Sequence, residues 1–202
     1  MTWHTGFRTE PPTYRPVAVV DIGSNSVRVV VYDGLRRSPT PVFNEKILCG
    51  VGKGVAITGK LNEAAIVRAL AALRRFRALA KQIGCKQVFA VATAAAREAS
   101  NGEEFVDKAE KALGAGILVL SGKEGGRFAA LGVIAGLPDA DGVACDLGGG
   151  SLELLDIKDG PAIALSPLNF GTWPTVTGAT RLEASFCEEK EQAEAARQVI
   201  GR

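Results

Sequence analysis

Two short segments of this chain combine an aspartate with a glycine-rich turn: Asp21-Ile22-Gly23-Ser24-Asn25-Ser26, and Asp146-Leu147-Gly148-Gly149-Gly150-Ser151. Each follows an apolar extended run, Val17-Ala18-Val19-Val20 or Gly142-Val143-Ala144-Cys145, and each leads into a second one that closes on Asp33-Gly34 or Asp159-Gly160. Glycine admits the conformations such a turn needs and leaves backbone N–H groups uncovered, which suits a phosphate. Aspartate can hold or orient a hydrated divalent cation. A lone turn of this kind is usually only a turn. Its repetition after equivalent strands implies two similar units, and two such hairpins facing each other would clamp a phosphate chain.

Composition narrows the remaining chemistry. The only histidine among the 202 residues is His4, which removes a His-based dyad or metal centre and leaves acid–base work to carboxylates. Cys49, Cys85, Cys145 and Cys187 lie far apart with no C-x-x-C spacing, as expected of free, mostly buried thiols. A net charge of +2 carries no overall signal for nucleic acid. The cluster Arg68, Arg74, Arg75, Arg77 and Lys81 falls on the polar face of an amphipathic helix and reads as a solvated surface. No apolar run is long enough to span a bilayer, so no membrane association is expected. The polar start of the chain, with Pro11, Pro12 and Pro16, reads as a disordered lead-in over residues 1–16 rather than a signal peptide, and the expected location is cytoplasmic.

The elements that must position these loops follow from periodicity. Extended runs are expected at Val17–Val20, Ser26–Tyr32 and Val42–Leu48, then a long helix Asn62–Ile83 with the stripe Ile66, Leu70, Leu73, Phe76 and Leu79-Ala80, closed by Gly84. Next come a strand Gln87–Thr93, an alanine-rich helix from Ala94, and a helix to Leu113 that Asn101 and Glu104 would open as a capping box. A strand Ile117–Leu120 and a helix Gly126–Ala135 complete a βββαβαβα unit over residues 17–138. Gly136-Leu137-Pro138-Asp139 breaks the chain, and residues 139–202 restart with the same loop before ending in a charged helix, Glu188–Ile200.

This α/β order, followed by the opening part of a second similar half, resembles the ribonuclease-H-like fold of the actin-like ATPase superfamily. Four stretches carry a closer resemblance: Val19–Ser26; Ala92-Thr93-Ala94-Ala95-Ala96-Arg97-Glu98-Ala99; Leu120-Ser121-Gly122-Lys123-Glu124; and Asp146–Glu153. Together they resemble the exopolyphosphatase/guanosine pentaphosphate phosphatase family over residues 17–160, and the Gly-Ser-Asn-Ser form of the first loop is its most specific element. The resemblance implies an Mg²⁺-dependent phosphohydrolase that releases terminal orthophosphate from inorganic polyphosphate or guanosine pentaphosphate. Ser24, Asn25, Ser26, Arg97, Gly148, Gly149, Gly150 and Ser151 would hold phosphate, and Asp21 and Asp146 the Mg²⁺. Glu153 reads equally as a third carboxylate or as an exposed strand residue. A sugar kinase or actin-like ATPase on the same scaffold is disfavoured by Ser24-Asn25-Ser26, where such proteins more often carry Gly-Thr.

Two departures bear on activity. Family members usually read Ser-Gly-x-Glu-Glu-Ala/Gly-Arg, and the second Glu is taken as the base that activates water. Here the segment is Ser121-Gly122-Lys123-Glu124-Gly125-Gly126-Arg127, with Gly125 in that place. Either Glu124 is the catalytic carboxylate after a small backbone shift, or the chain grips polyphosphate or a nucleotide with little turnover. The second departure is length: the second half reads as incomplete, and the apolar surface this would expose predicts a homodimer or poor solubility.

Overall fold

The computed structural model describes residues 14–148 and 152–157. Strand β1 (Val17–Ile22) is the centre of a five-stranded sheet ordered β3-β2-β1-β4-β5, with β2 (Ser26–Tyr32), β3 (Pro41–Leu48), β4 (Gln87–Ala92) and β5 (Leu118–Val119). β1 pairs antiparallel with β2 and parallel with β4, β3 runs antiparallel to β2, and β5 runs parallel to β4. The alternation of Val27, Val29 and Val31 with Arg28 and Val30 turns every second residue of β2 into the core.

That buried face is covered by α2 (Glu63–Ile83), which also packs on α4 (Gly102–Leu113). Helix α2 starts where the Asn62 side chain accepts from the Ala65 N–H at 3.0 Å, and it stops at Gly84, whose φ of 87° is left-handed. Its expected stripe is the observed one: Ile66, Leu73, Phe76 and Ala80 are buried, with Leu70 and Leu79 packed beside them. Arg68, Arg74, Arg75, Arg77 and Lys81 stay exposed, although Arg68 donates to the Cys49 carbonyl at 2.8 Å and Arg75 pairs with Glu45 at 2.8 Å. Cys49 is buried and Cys85 half-buried, both are free thiols, and burial pushes both thiol pKa values up.

One cap and one helix start differ from expectation. The Asn101 side chain does not cap α4; its Oδ1 accepts from the Leu61 N–H at 2.8 Å and its Nδ2 donates to the Leu61 carbonyl at 3.3 Å. A tertiary partner has taken the group that local spacing assigned to a cap. Glu104 turns instead to Lys108, at 2.7 Å. The last helix of the first half, α5 (Gly122–Gly136), starts a turn earlier than expected, because Ser121 caps it. Two short helices, α1 (Val55–Thr58) and α3 (Ala94–Glu98), lie in the connections before α2 and α4. After the break, β6 (Gly142–Leu147) and β7 (Leu152–Ile157) form a separate antiparallel hairpin on α5, around Ala130 and Ile157.

The 1–13 part of the lead-in, Asp159-Gly160, Cys187 and the segment Glu188–Ile200, expected as a helix, lie outside the described residues. Among the described residues no helix is long and apolar enough to cross a membrane.

Phe76 is fully buried where α2 meets the sheet. Phe76→Ala is expected to cost about 3–5 kcal/mol of stability, read as a lower midpoint in urea unfolding; a loss under about 1 kcal/mol would contradict this packing.

Candidate phosphate cleft

The ends of three strands converge. β1 finishes at Asp21-Ile22, β4 at Ala92 and β5 at Val119, all pointing the same way. Backbone bonds lock these ends together: the Thr93 N–H donates to the Ile22 carbonyl at 3.2 Å, and the Leu120 N–H to the Ala92 carbonyl at 2.8 Å. In open sheets of this kind the crevice outside the carboxyl ends of the parallel strands is where ligands bind. A cleft of about 500 Å³ opens there, lined by Asp21, Gly23, Ser24, Asn25 and Ser26 from the first loop, Thr93 and Arg97 from α3, Ser121, Gly125 and Phe128 from α5, and Asp146 and Gly148 from the second hairpin. A larger hollow of about 1160 Å³, lined among others by Arg15, Arg36 and Lys86, sits at the other end of β1 and contains none of the expected site residues.

The two repeated loops therefore face each other, as far as Gly148. Gly149, Gly150 and Ser151 lie outside the described residues, as does the side chain of Glu153, whose backbone pairs with Asp146 across β6 and β7. The first turn is closed by Gly23 donating to the Ser26 carbonyl at 3.0 Å. Arg97 is anchored at the cleft wall: one nitrogen donates to the Leu120 carbonyl at 2.7 Å, and another pairs with Glu98 at 3.0 Å. Arg97 therefore lines the cleft while its guanidinium is held by the Leu120 carbonyl and Glu98.

Asp21 carries the main electrostatic signature. Burial is the largest cause of its raised pKa, although part of the side chain stays open to the cleft, and the Asp146 carboxylate adds to the shift. Arg28 and Lys46 oppose it. Cross-strand register explains their presence: Asp21 lies opposite Arg28, and Arg28 opposite Lys46, so one row of charges crosses β1, β2 and β3. Lys46 lines the cleft, while Arg28 donates to Asn44 at 2.9 Å. Neither was singled out from sequence, because only the register aligns them with Asp21. Among the described residues no group of three or more His, Cys, Asp or Glu could hold a metal. Two neighbouring carboxylates with hydroxyls beside them are nonetheless a hard-oxygen donor set, and Mg²⁺ often takes only one or two carboxylates, keeping waters or phosphate oxygens as its other ligands.

Glu124 is not among the residues that line the cleft, although Ser121, to which it is bonded, is. It sits at the N-terminus of α5 in a capping box: its carboxylate accepts from the Ser121 N–H at 2.9 Å and from the Ser121 hydroxyl at 2.7 Å, while its own N–H donates to Ser121 Oγ at 3.2 Å. The Ser121 hydrogen bonds hold its pKa below the ordinary value. Gly125, the next residue, is the one on the cleft wall.

Comparison with known proteins agrees with this geometry. The profile of the Ppx/GppA phosphatase family matches residues 17–201. Exopolyphosphatase 1 of Mycobacterium leprae is 32% identical over 160 residues, which cover 77% of this chain and 47% of that relative. The chain thus spans about half the length of such relatives. The solved structure of an Aquifex aeolicus Ppx/GppA enzyme superposes with a TM-score of 0.72 at 28% identity, covering 90% of this chain and 64% of that one. An exopolyphosphatase structure from Cytophaga hutchinsonii superposes with a TM-score of 0.76 at 25% identity, covering 91% and 63%. The actin-like, ribonuclease-H-like fold expected from the element order is the one these structures share with the chain.

Between the ordinary carboxylate pKa of 3.8 and the raised value of Asp21, the folded chain holds a proton that the unfolded chain has lost. Asp21 therefore lowers stability as pH rises through that window, and the loss is complete above it. Asp21→Asn is expected to raise the thermal midpoint at neutral pH, with the difference vanishing below the ordinary carboxylate value. Circular dichroism melts at the two pH values check this; an unchanged neutral midpoint contradicts it.

Proposed function

The chain belongs to the Ppx/GppA phosphatase family, and from that membership and the cleft we propose that it is an Mg²⁺-dependent phosphohydrolase. Its substrate class is a linear phosphoanhydride, inorganic polyphosphate or guanosine pentaphosphate, from whose end it releases orthophosphate. One observation carries this reading: the Asp21 and Asp146 hairpins and Arg97 open on a single cleft. Backbone N–H groups of the turns and the Arg97 guanidinium would take phosphate oxygens, for which the planar guanidinium fork suits two at once. Asp21 and Asp146 would hold Mg²⁺, which when bound offsets charge on the phosphates.

In the reaction, water forms a bond to the terminal phosphorus and the bridging P–O bond breaks. The shortened chain leaves with the bridging oxygen, and the water gives up a proton. Glu124 accepts that proton once its carboxylate leaves Ser121. Gly125 and Gly126, which follow it, give the backbone room for that movement.

A second reading, a family member that grips polyphosphate without cutting it, is favoured by two features: Gly125 lines the cleft, and the Glu124 carboxylate is spent on the helix cap. Phosphate release from long-chain polyphosphate with Mg²⁺ separates the two. Under the first reading the wild type releases phosphate, and Glu124→Gln lowers the rate by roughly 10²-fold or more, the scale of a lost general base. Under the second the wild type binds and is silent, and Gly125→Glu starts release. Wild-type release that Glu124→Gln leaves intact would remove Glu124 from the mechanism. Mg²⁺ is also expected to raise the thermal midpoint of the wild type more than that of Asp21→Asn; equal shifts would place the ion elsewhere.

A further inference from the structure

The turn that faces the cleft is held from behind by a segment with no chemistry of its own. The Cys49 and Gly50 N–H groups both donate to the Asn25 carbonyl, at 3.0 and 2.8 Å, and the Gly52 N–H donates to the Ser24 carbonyl at 2.8 Å. The Cys49 carbonyl is itself held by Arg68 from α2 at 2.8 Å. A trans peptide places its N–H opposite its C=O. Drawing the Ser24 and Asn25 carbonyls back onto residues 49–52 therefore turns the Asn25 and Ser26 N–H groups away from that segment. An anion arriving at this turn meets donors, with both carbonyl dipoles pointed away from it.

Packing at Gly52 sets how far forward the turn sits. A Cβ there would lie 2.8 Å from Ser24 Cβ, 3.2 Å from Ser24 Cα and 3.1 Å from Ala95 Cβ. These are main-chain and Cβ atoms with no rotamer to swing aside. Gly52 does not have the positive φ of Gly50 or Gly54 on either side of it. Glycine is needed at 52 for space alone, and the space is the place of the phosphate-facing turn.

We infer that Gly52 is a positioning residue of the phosphate cleft: with the Cys49 and Gly50 amides it fixes the depth and polarity of the Ser24–Ser26 turn, and through it the affinity for a terminal phosphoryl group. The inference rests on the phosphohydrolase reading of the same cleft and adds a residue outside its lining.

The test uses inorganic tripolyphosphate with Mg²⁺, titrated calorimetrically into the full chain, with Gly132→Ala in α5 as a control because a Cβ there meets nothing within 4 Å. Gly52→Ala is expected to raise Kd about tenfold or more, while Gly132→Ala stays within about threefold of wild type. In a Ser24→Gly background, where the tightest of these contacts is absent, adding Gly52→Ala is expected to raise Kd by a smaller factor than it does in the wild type. A merely structural glycine would give the same loss in both backgrounds. Amide exchange in the wild type gives a second reading that needs no variant to fold: Cys49, Gly50 and Gly52 are protected without ligand, and Asn25 and Ser26 become protected on adding tripolyphosphate. Equal Kd for Gly52→Ala and wild type, equal losses in both backgrounds, or freely exchanging 49–52 amides would each overturn the brace alone. A wild type that binds no tripolyphosphate would overturn the phosphate reading and the brace with it.

Discussion

The hydrogen-bond register of β1 is the constraint on which the site depends. Antiparallel pairing with β2 on one side and parallel pairing with β4 on the other leave no freedom in where the strand ends lie. Asp21 is thereby fixed one residue before the end of β1, opposite Arg28 and Val91, and the Ser24–Asn25 turn must follow at once. A one-residue slip would send Asp21 into the buried face among the valines and remove the cleft's only described carboxylate besides that of Asp146. Burying the valines of β2 under α2 is what makes such a slip costly, so the core enforces the site.

Charge around the cleft follows from that register. Two aspartates brought together repel, and the rise in the Asp21 pKa records both that repulsion and the loss of water. Arg28 and Lys46, carried into line by β2 and β3, answer part of it. The carboxylates of Asp21 and Asp146 and the cations Arg97 and Lys46 thus line one cleft, a mixture of charges that would suit a divalent cation beside a polyanion. The capping box at Ser121 shows the opposite economy. A carboxylate whose bonds are satisfied on its own helix is not held ready in the cleft, and the glycine beside it has no side chain to take its place.

Much of the architecture was legible in the residues themselves. Periodicity placed the strands and α2 closely, because a valine run alternating with polar residues and a stripe at helical spacing each bury on one face only. The repeat of Asp-x-Gly turns announced two facing hairpins, and the cleft contains both Asp21 and Asp146 with Ser24, Asn25, Ser26, Arg97 and Gly148. Legibility failed where a side chain has a distant partner. Asn101 was read as a local cap and is bonded to Leu61 instead, while Ser121 and Glu124 form a capping box where no cap was expected.

The linear chain by itself determined the fold family, the two loops and most of the residue types that line the cleft, since these depend on residue type and short-range spacing. Tertiary structure alone decided three other matters: that Lys46 joins the site, that Gly125 and not Glu124 faces the cleft, and that residues 49–52 hold the turn from behind. Each arises from strand register, from the direction of a helix's first turn, or from contact between segments remote in sequence. No spacing rule encodes those, because they exist only once the strands are paired and the helices laid against them.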